Sequence, residues 1–216
     1  ISLLRAGDHV VSSQYLFGNT NSLFQTLDAL GVQFSFVDAT STSAVSAAIR
    51  PNTRMVFVET IANPRTQVSD LAGIGQLCSD RQLLYVVDST LCTPVLFRPK
   101  SVGAGLVVHS LTKSISGHGN AMGGSVTDTG RFDWSLYPNI YESYKKGAPT
   151  TWGMLQIKKK GLRDLGGTLR AEDAHRIAMG AETMRLRVPA ASDSAQRMAE
   201  FLESHPAVAA VYYPGL

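Results

Sequence analysis

The sequence predicts an α/β domain built on a mostly parallel sheet, and three observations predict it. Short β-branched apolar runs recur between His9 and Thr127, each closed by polar or small residues. Segments of helical length separate them, the alternation expected of parallel strands joined by crossover helices. Glu59, Asp88 and Ser110 then fall at the ends of three of these runs, where an open α/β sheet gathers its ligand-binding groups.

The elements follow in order. "HVVSS" (9–13) reads as the first strand. The segment 21–30 sets Leu23, Phe24, Leu27 and Leu30 on one helix face. "VQFSFVD" (32–38) is a second strand, 43–49 a short helix and "RMVFVET" (54–60) a third strand. Ser69 is placed to cap a helix reaching Cys78, with Leu71, Ile74, Leu77 and Cys78 turned inward. "QLLYVVDST" (82–90), "AGLVVHS" (104–110) and "GGSVT" (123–127) complete the strands. The run "GRFDWSLYPNIYESYKKGAP" (130–149) has little periodicity and reads either as a long active-site or interface loop or as partly helical. "RAEDAHRIAMGAETMRLRV" (170–188) presents Ala174, Ile177, Ala178, Ala181 and Met184 on a broad apolar side, and Pro189 is expected to stop that helix. A further helix runs from an Asp193 cap to His205, and "VAAVYYPGL" (208–216) reads as a strand and turn. The expected division is a major domain over 1–189 and the start of an α+β C-terminal domain over 190–216.

Composition narrows the function classes. A chain of 216 residues that is 44% hydrophobic can bury a substantial core. No apolar run is long enough to cross a bilayer, so no membrane association is expected. Cys78 and Cys92 are too few for a disulfide framework, and they read as buried thiols of a cytoplasmic protein. Net charge is +3, and no recognition motif accompanies Lys145–Lys146 or Lys158–Lys160. These are read as a solvated basic face, and no nucleic-acid partner is expected. No GxGxxG follows a strand and no GxxxxGK[ST] occurs, which argues against nicotinamide dehydrogenases and P-loop enzymes.

The chemistry concentrates in "VVHSLTKSISGHGNAMGG" (107–124), where Lys113 follows a strand among hydroxyls and glycines. A lysine with a carboxylate is either a structural ion pair or part of a reactive set. A pyridoxal phosphate enzyme needs a lysine to form an imine, a carboxylate for the pyridine nitrogen, and hydroxyls or amides for the phosphate. Lys113, Asp88, Ser110, Thr112 and Asn63 have the residue types for those tasks. His109 and His118 flank the lysine without a compact third ligand, and no metal is expected. Gly117, Gly119, Gly123 and Gly124 suit a backbone that turns around a pocket.

With "FGNT" (17–20), "VETIANP" (58–64) and "VVDSTLCTP" (86–94), that segment resembles the Cys/Met-metabolism, or trans-sulfuration, family of pyridoxal phosphate enzymes. The resemblance runs from near the first residue through "VYYPGL". It implies the aspartate-aminotransferase-like, fold type I architecture and a pyridoxal 5'-phosphate cofactor. It implies that Lys113 is the Schiff-base lysine, Asp88 the pyridine-nitrogen partner, and Ser110 and Thr112 the phosphate-contacting hydroxyls. Asn63 would lie near the ring hydroxyl and substrate, and Thr90 near the cofactor face. Glu59 would support the site. Phe17 would stack on the ring. Many relatives carry Tyr at that position, so proton transfers assigned to its hydroxyl would fall here to Lys113, water or another group. Tyr15 lies two residues away and is not equivalent.

The same resemblance points to γ-replacement on an O-acetyl- or O-succinylhomoserine by sulfide or a small thiol, giving homocysteine or a related amino acid. "TDTGRFDW" (127–134) looks most like the homoserine-ester sulfhydrylases. The alternatives are a γ-lyase acting on methionine or cystathionine, and a cystathionine γ-synthase. Arg170–Ala171 stands where many relatives have Ser–Pro, a departure that leaves substrate specificity open. A homotetramer of catalytic dimers is implied. So are an N-terminal glycine segment and a Tyr/Arg segment preceding Ile1, and a carboxylate-binding arginine following Leu216.

Overall fold

A computed structural model describes residues 1–216. Six strands form one sheet: β1 (His9–Ser13), β2 (Gln33–Val37), β3 (Thr53–Glu59), β4 (Leu84–Asp88), β5 (Leu106–Ser110) and β6 (Gly124–Asp128). Their order is β2-β1-β3-β4-β5-β6. The first five are parallel and β6 is antiparallel to β5. All of β1 and Leu84–Val87 of β4 are buried, as expected for strands covered on both faces.

One face is covered by α1 (Gly18–Ala29) and the segment after β6. Phe24, Leu27, Trp134, Tyr137 and Ile140 pack there on Val10, Phe57, Val86 and Leu106. The other face is covered by α2 (Thr42–Ala47) and α3 (Leu71–Asp80). Their Val45, Ile74 and Cys78 pack on Val11, Val56, Val58, Tyr85 and Val87. A short α4 (Thr93–Leu96) follows β4. Beyond β6 lie α5 (Trp152–Gln156), a π-helical stretch (Ile157–Arg163), α6 (Ala171–Glu182) and α7 (Met184–Glu203). No helix is long and apolar enough to cross a membrane.

The structure corrects three local expectations. Asp70 caps α3 by accepting from Gly73 N at 3.1 Å, whereas the Ser69 hydroxyl donates to the Glu59 carbonyl at 2.8 Å. The helix over 170–188 breaks at Thr183 rather than at Pro189, which lies inside α7. Proline is tolerated there because the carbonyl four residues back belongs to exposed Arg185, where water reaches it. Residues 189 and 190, where a domain boundary is expected, both lie within α7. The segment 208–216 forms no strand, for want of a pairing partner. It is fastened by side chains instead: Thr66 Oγ1 donates to Tyr212 O at 3.0 Å and Gln196 Nε2 to Gly215 O at 3.1 Å. Of the two readings open for the aperiodic run 130–149, the structure shows the partly helical one. Short 3-10 turns carry Trp134 and Tyr137 into the core.

Candidate active site

The strand order reverses between β1 and β3, the point at which an open sheet leaves a crevice beyond its strand ends. Both flanking strands deliver a candidate residue to it. Phe17 follows β1 at the N-cap of α1, and its N–H donates to Glu59 Oε1 at 2.7 Å. Phe17 is 42% exposed.

Register then carries the site across the sheet. Glu59 lies opposite Asp88, and Asp88 opposite Val108 two residues before Ser110. Thr90 joins the last two ends: its N–H and hydroxyl reach Asp88 Oδ1 at 2.9 and 2.5 Å, and its oxygen accepts from Ser110 N at 2.8 Å. Asp88 Oδ2 has no protein partner.

Ser110 opens the turn that holds Lys113. Ser110 O accepts from Lys113 N at 3.3 Å, Leu111 O from Ser116 N at 2.9 Å and Lys113 O from Gly117 N at 2.8 Å. Gly117 permits this closure at φ +75°. Ile115, Ala121 and Ile177 form a small core beneath the turn. The Lys113 side chain is exposed and makes no ion pair. Thr112 Oγ1 is tied to the backbone of Gly123, accepting from its N–H at 3.0 Å and donating to its carbonyl at 3.3 Å. Asn63 is exposed, just beyond the Ile61–Val68 bridge.

Glu59 is the perturbed carboxyl. Burial pushes it up to about 7 and the Asp88 charge adds to the rise, while the N–H groups of Phe17 and Asn63 oppose it. His109 is buried and held below the usual imidazole range by desolvation, with Asp88 pulling the other way. Its Nε2, Thr60 Oγ1 and Ser89 Oγ are buried without partners beside the strand ends. Cys78 and Cys92 are buried free thiols, and burial pushes Cys78 up to about 12, so neither is a ready nucleophile.

A model of the Cys/Met-metabolism PLP-dependent enzyme family matches residues 1–216. The chain belongs to that family. It is 38% identical over 216 residues to the L-methionine gamma-lyase of Porphyromonas gingivalis, covering 99% of this chain and 49% of the relative. It is 36% identical over 234 aligned positions to the O-acetyl-L-homoserine sulfhydrylase of Corynebacterium glutamicum, covering all of this chain and 53% of the relative. The chain thus spans about half the length of the curated relatives it matches. Among solved structures it superposes on the O-acetylhomoserine sulfhydrylase of Wolinella succinogenes with TM-score 0.91 at 38% identity, covering 100% of this chain and 61% of that one. A putative O-acetylhomoserine (thiol)-lyase from Campylobacter jejuni, solved with N'-pyridoxyl-lysine-5'-monophosphate, superposes with TM-score 0.89 at 29% identity, covering 100% of this chain and 56% of that one. Fold type I architecture and a pyridoxal phosphate cofactor follow from family membership.

The residues present fit that cofactor. Asp88 Oδ2 offers an open acceptor, Lys113 an unpaired amine, Ser110 an uncommitted hydroxyl and Phe17 an exposed aromatic face. Sequence reasoning found these residues but missed the commitment of Thr90. Its hydroxyl is used twice within the protein, orienting Asp88 and bracing Ser110. Only the spacing of "DST" after a strand hinted at such a turn.

Proposed function

We propose that this chain belongs to an enzyme performing γ-replacement on an O-acetyl- or O-succinylhomoserine, with sulfide or a small thiol as nucleophile, to give homocysteine or a related amino acid. The observation that carries the reading is the likeness, over the whole of this chain, to the Wolinella sulfhydrylase. Bound pyridoxal phosphate supplies an aldehyde for covalent capture and a ring that withdraws electrons from the substrate.

The chain's own residues supply the rest. Lys113 Nζ would hold the cofactor's aldehyde carbon, and its free amine would carry a proton between substrate carbons. Asp88 Oδ2 would accept from the protonated ring nitrogen, with the carboxylate fixed by Thr90 through Oδ1. Ser110 Oγ and the backbone at the head of the Lys113 turn bind phosphate. Thr112 joins them by redirecting the proton it now shares weakly with Gly123. Phe17 stacks on the ring and, lacking a hydroxyl, leaves proton transfer to Lys113. Glu59 fixes the Phe17 backbone, and Asn63 orients the ring hydroxyl and substrate.

A second reading is a γ-lyase. The Porphyromonas lyase aligns over 216 positions, while the Corynebacterium sulfhydrylase needs 234. The protein acts as a homotetramer of catalytic dimers in the cytoplasm, with residues 190–216 opening a second domain. The test incubates full-length protein with O-acetyl- or O-succinylhomoserine, with and without sulfide, and in parallel with methionine or cystathionine. Sulfide-dependent homocysteine is expected. Predominant 2-oxobutyrate from methionine or cystathionine would replace this reading with the lyase.

A further inference from the structure

We infer that Arg187 is a positioning residue for Lys113, holding the turn that aims the amine. The inference rests on Lys113 being the cofactor-binding lysine. Arg187 sits half-buried in the first turn of α7, and its guanidinium makes four hydrogen bonds in two directions. Toward the helices, Nε donates to Thr183 Oγ1 at 2.9 Å and Nη2 to Gly180 O at 2.7 Å. Toward the site, Nη1 donates to Ser114 O at 3.0 Å and Nη2 to Ile115 O at 3.3 Å. Those carbonyls belong to the two residues immediately after Lys113. One rigid fork therefore ties the C-terminal end of α6 to the lysine turn.

Two glycines are shaped around this contact. A Cβ on Gly117 would lie 2.1 Å from Arg187 Nη1, and one on Gly180 would lie 1.9 Å from the Ser116 carbonyl. α6 thus touches the turn backbone directly, and Arg187 closes over it. No carboxylate forms an ion pair with Arg187, so its donors serve carbonyls and a hydroxyl alone. The need for such a brace is evident at Lys113, whose long side chain is exposed and unpaired. Covalent capture requires the amine within a narrow range of positions, and a side chain is aimed no better than the backbone that carries it.

The test uses full-length protein bearing Arg187→Met or Arg187→Lys, with Lys113→Ala alongside. Two quantities are read: amide hydrogen exchange at Ser116 and Gly117, whose N–H groups close the turn, and the rate at which the apoprotein captures added pyridoxal phosphate. In both Arg187 variants exchange at those amides rises about tenfold and capture slows about tenfold, while β4 amides keep their protection. Lysine acts in the same direction because a single ammonium cannot span the four acceptors. It also serves where the Met variant does not fold. Unchanged exchange and capture would overturn the inference. So would a uniform loss of protection with normal capture, which marks a merely structural arginine. If instead Lys113→Ala retains the covalent absorbance of the holoprotein, it is the reading of Lys113 that fails.

Discussion

Glu59 shows what one residue at a strand end does to the whole molecule. Glu59 is 7% exposed and lies opposite Asp88 in the β3–β4 register, and burial pushes its carboxyl up to about 7 from 4.5 for the free side chain. The folded state therefore binds the extra proton between those values. The stabilisation is complete below pH 4.5 and lost as pH rises through 7, a change of up to about 3 kcal/mol. Glu59→Gln keeps an acceptor for Phe17 N–H and removes the titration. Urea midpoints of the full-length apoprotein at pH 5 and pH 8 should differ less in the variant than in wild type, with the variant the more stable at pH 8. Equal pH dependence in the two would contradict the perturbed carboxyl. At this scale the sequence singles out candidate residues and not how they are committed. Asp88 and Lys113 stand out because strand ends are readable from β-branched runs. The shared use of the Thr90 hydroxyl by Asp88 and Ser110 is not readable, because Ser110 lies 20 residues from Thr90 at the end of a different strand from Asp88.

At the scale of elements, legibility follows periodicity. The strands are found because apolar runs bounded by turn residues have few other structural readings. The run 130–149 is opaque because its 3-10 turns have no period, and its anchoring is aromatic and polar. Trp134 packs edge-on to Phe132 and Tyr137, with ring centroids 5.1 and 5.7 Å away, and its Nε1 donates to Asp128 Oδ2 at 2.8 Å. Asn139 Nδ2 reaches Leu3 O and Asp8 Oδ2, while Gln156 Nε2 reaches Ser2 O, binding the segment to the start of the chain. Gly153 is part of this packing, since a Cβ there would lie 2.1 Å from the Trp134 ring. Gly153→Ala should therefore destabilise the full-length protein by about 1–3 kcal/mol through overpacking. Gly167→Ala, with nothing within 4 Å of its Cβ, should stay within about 0.5 kcal/mol. Equal denaturant midpoints for the two variants would contradict the close approach of Gly153 to Trp134. The helix break shows a different limit. Pro189 reads as a stop, yet the break falls at Thr183, where the carbonyl accepts from both Leu186 and Arg187 N–H groups.

At the scale of the molecule, the sheet order explains why residues scattered from Phe17 to Lys113 meet. Reversal between β1 and β3 opens a crevice, and each later parallel strand adds a neighbouring residue at the same end. That architecture was legible because alternation of strand and helix leaves few topologies. The choice between replacement and elimination was not, since both use the same lysine, carboxylate and phosphate contacts. The difference lies in what meets the substrate after its γ-substituent leaves, and motifs built around the cofactor do not encode it. The proposal that can be tested most directly is the point of covalent attachment, Lys113. Borohydride reduction of the full-length holoprotein, followed by peptide mass mapping, should place the pyridoxyl group on Lys113 and on no other lysine. A pyridoxyl group on a different lysine, or no stable adduct on a cofactor-loaded protein, would contradict the assignment.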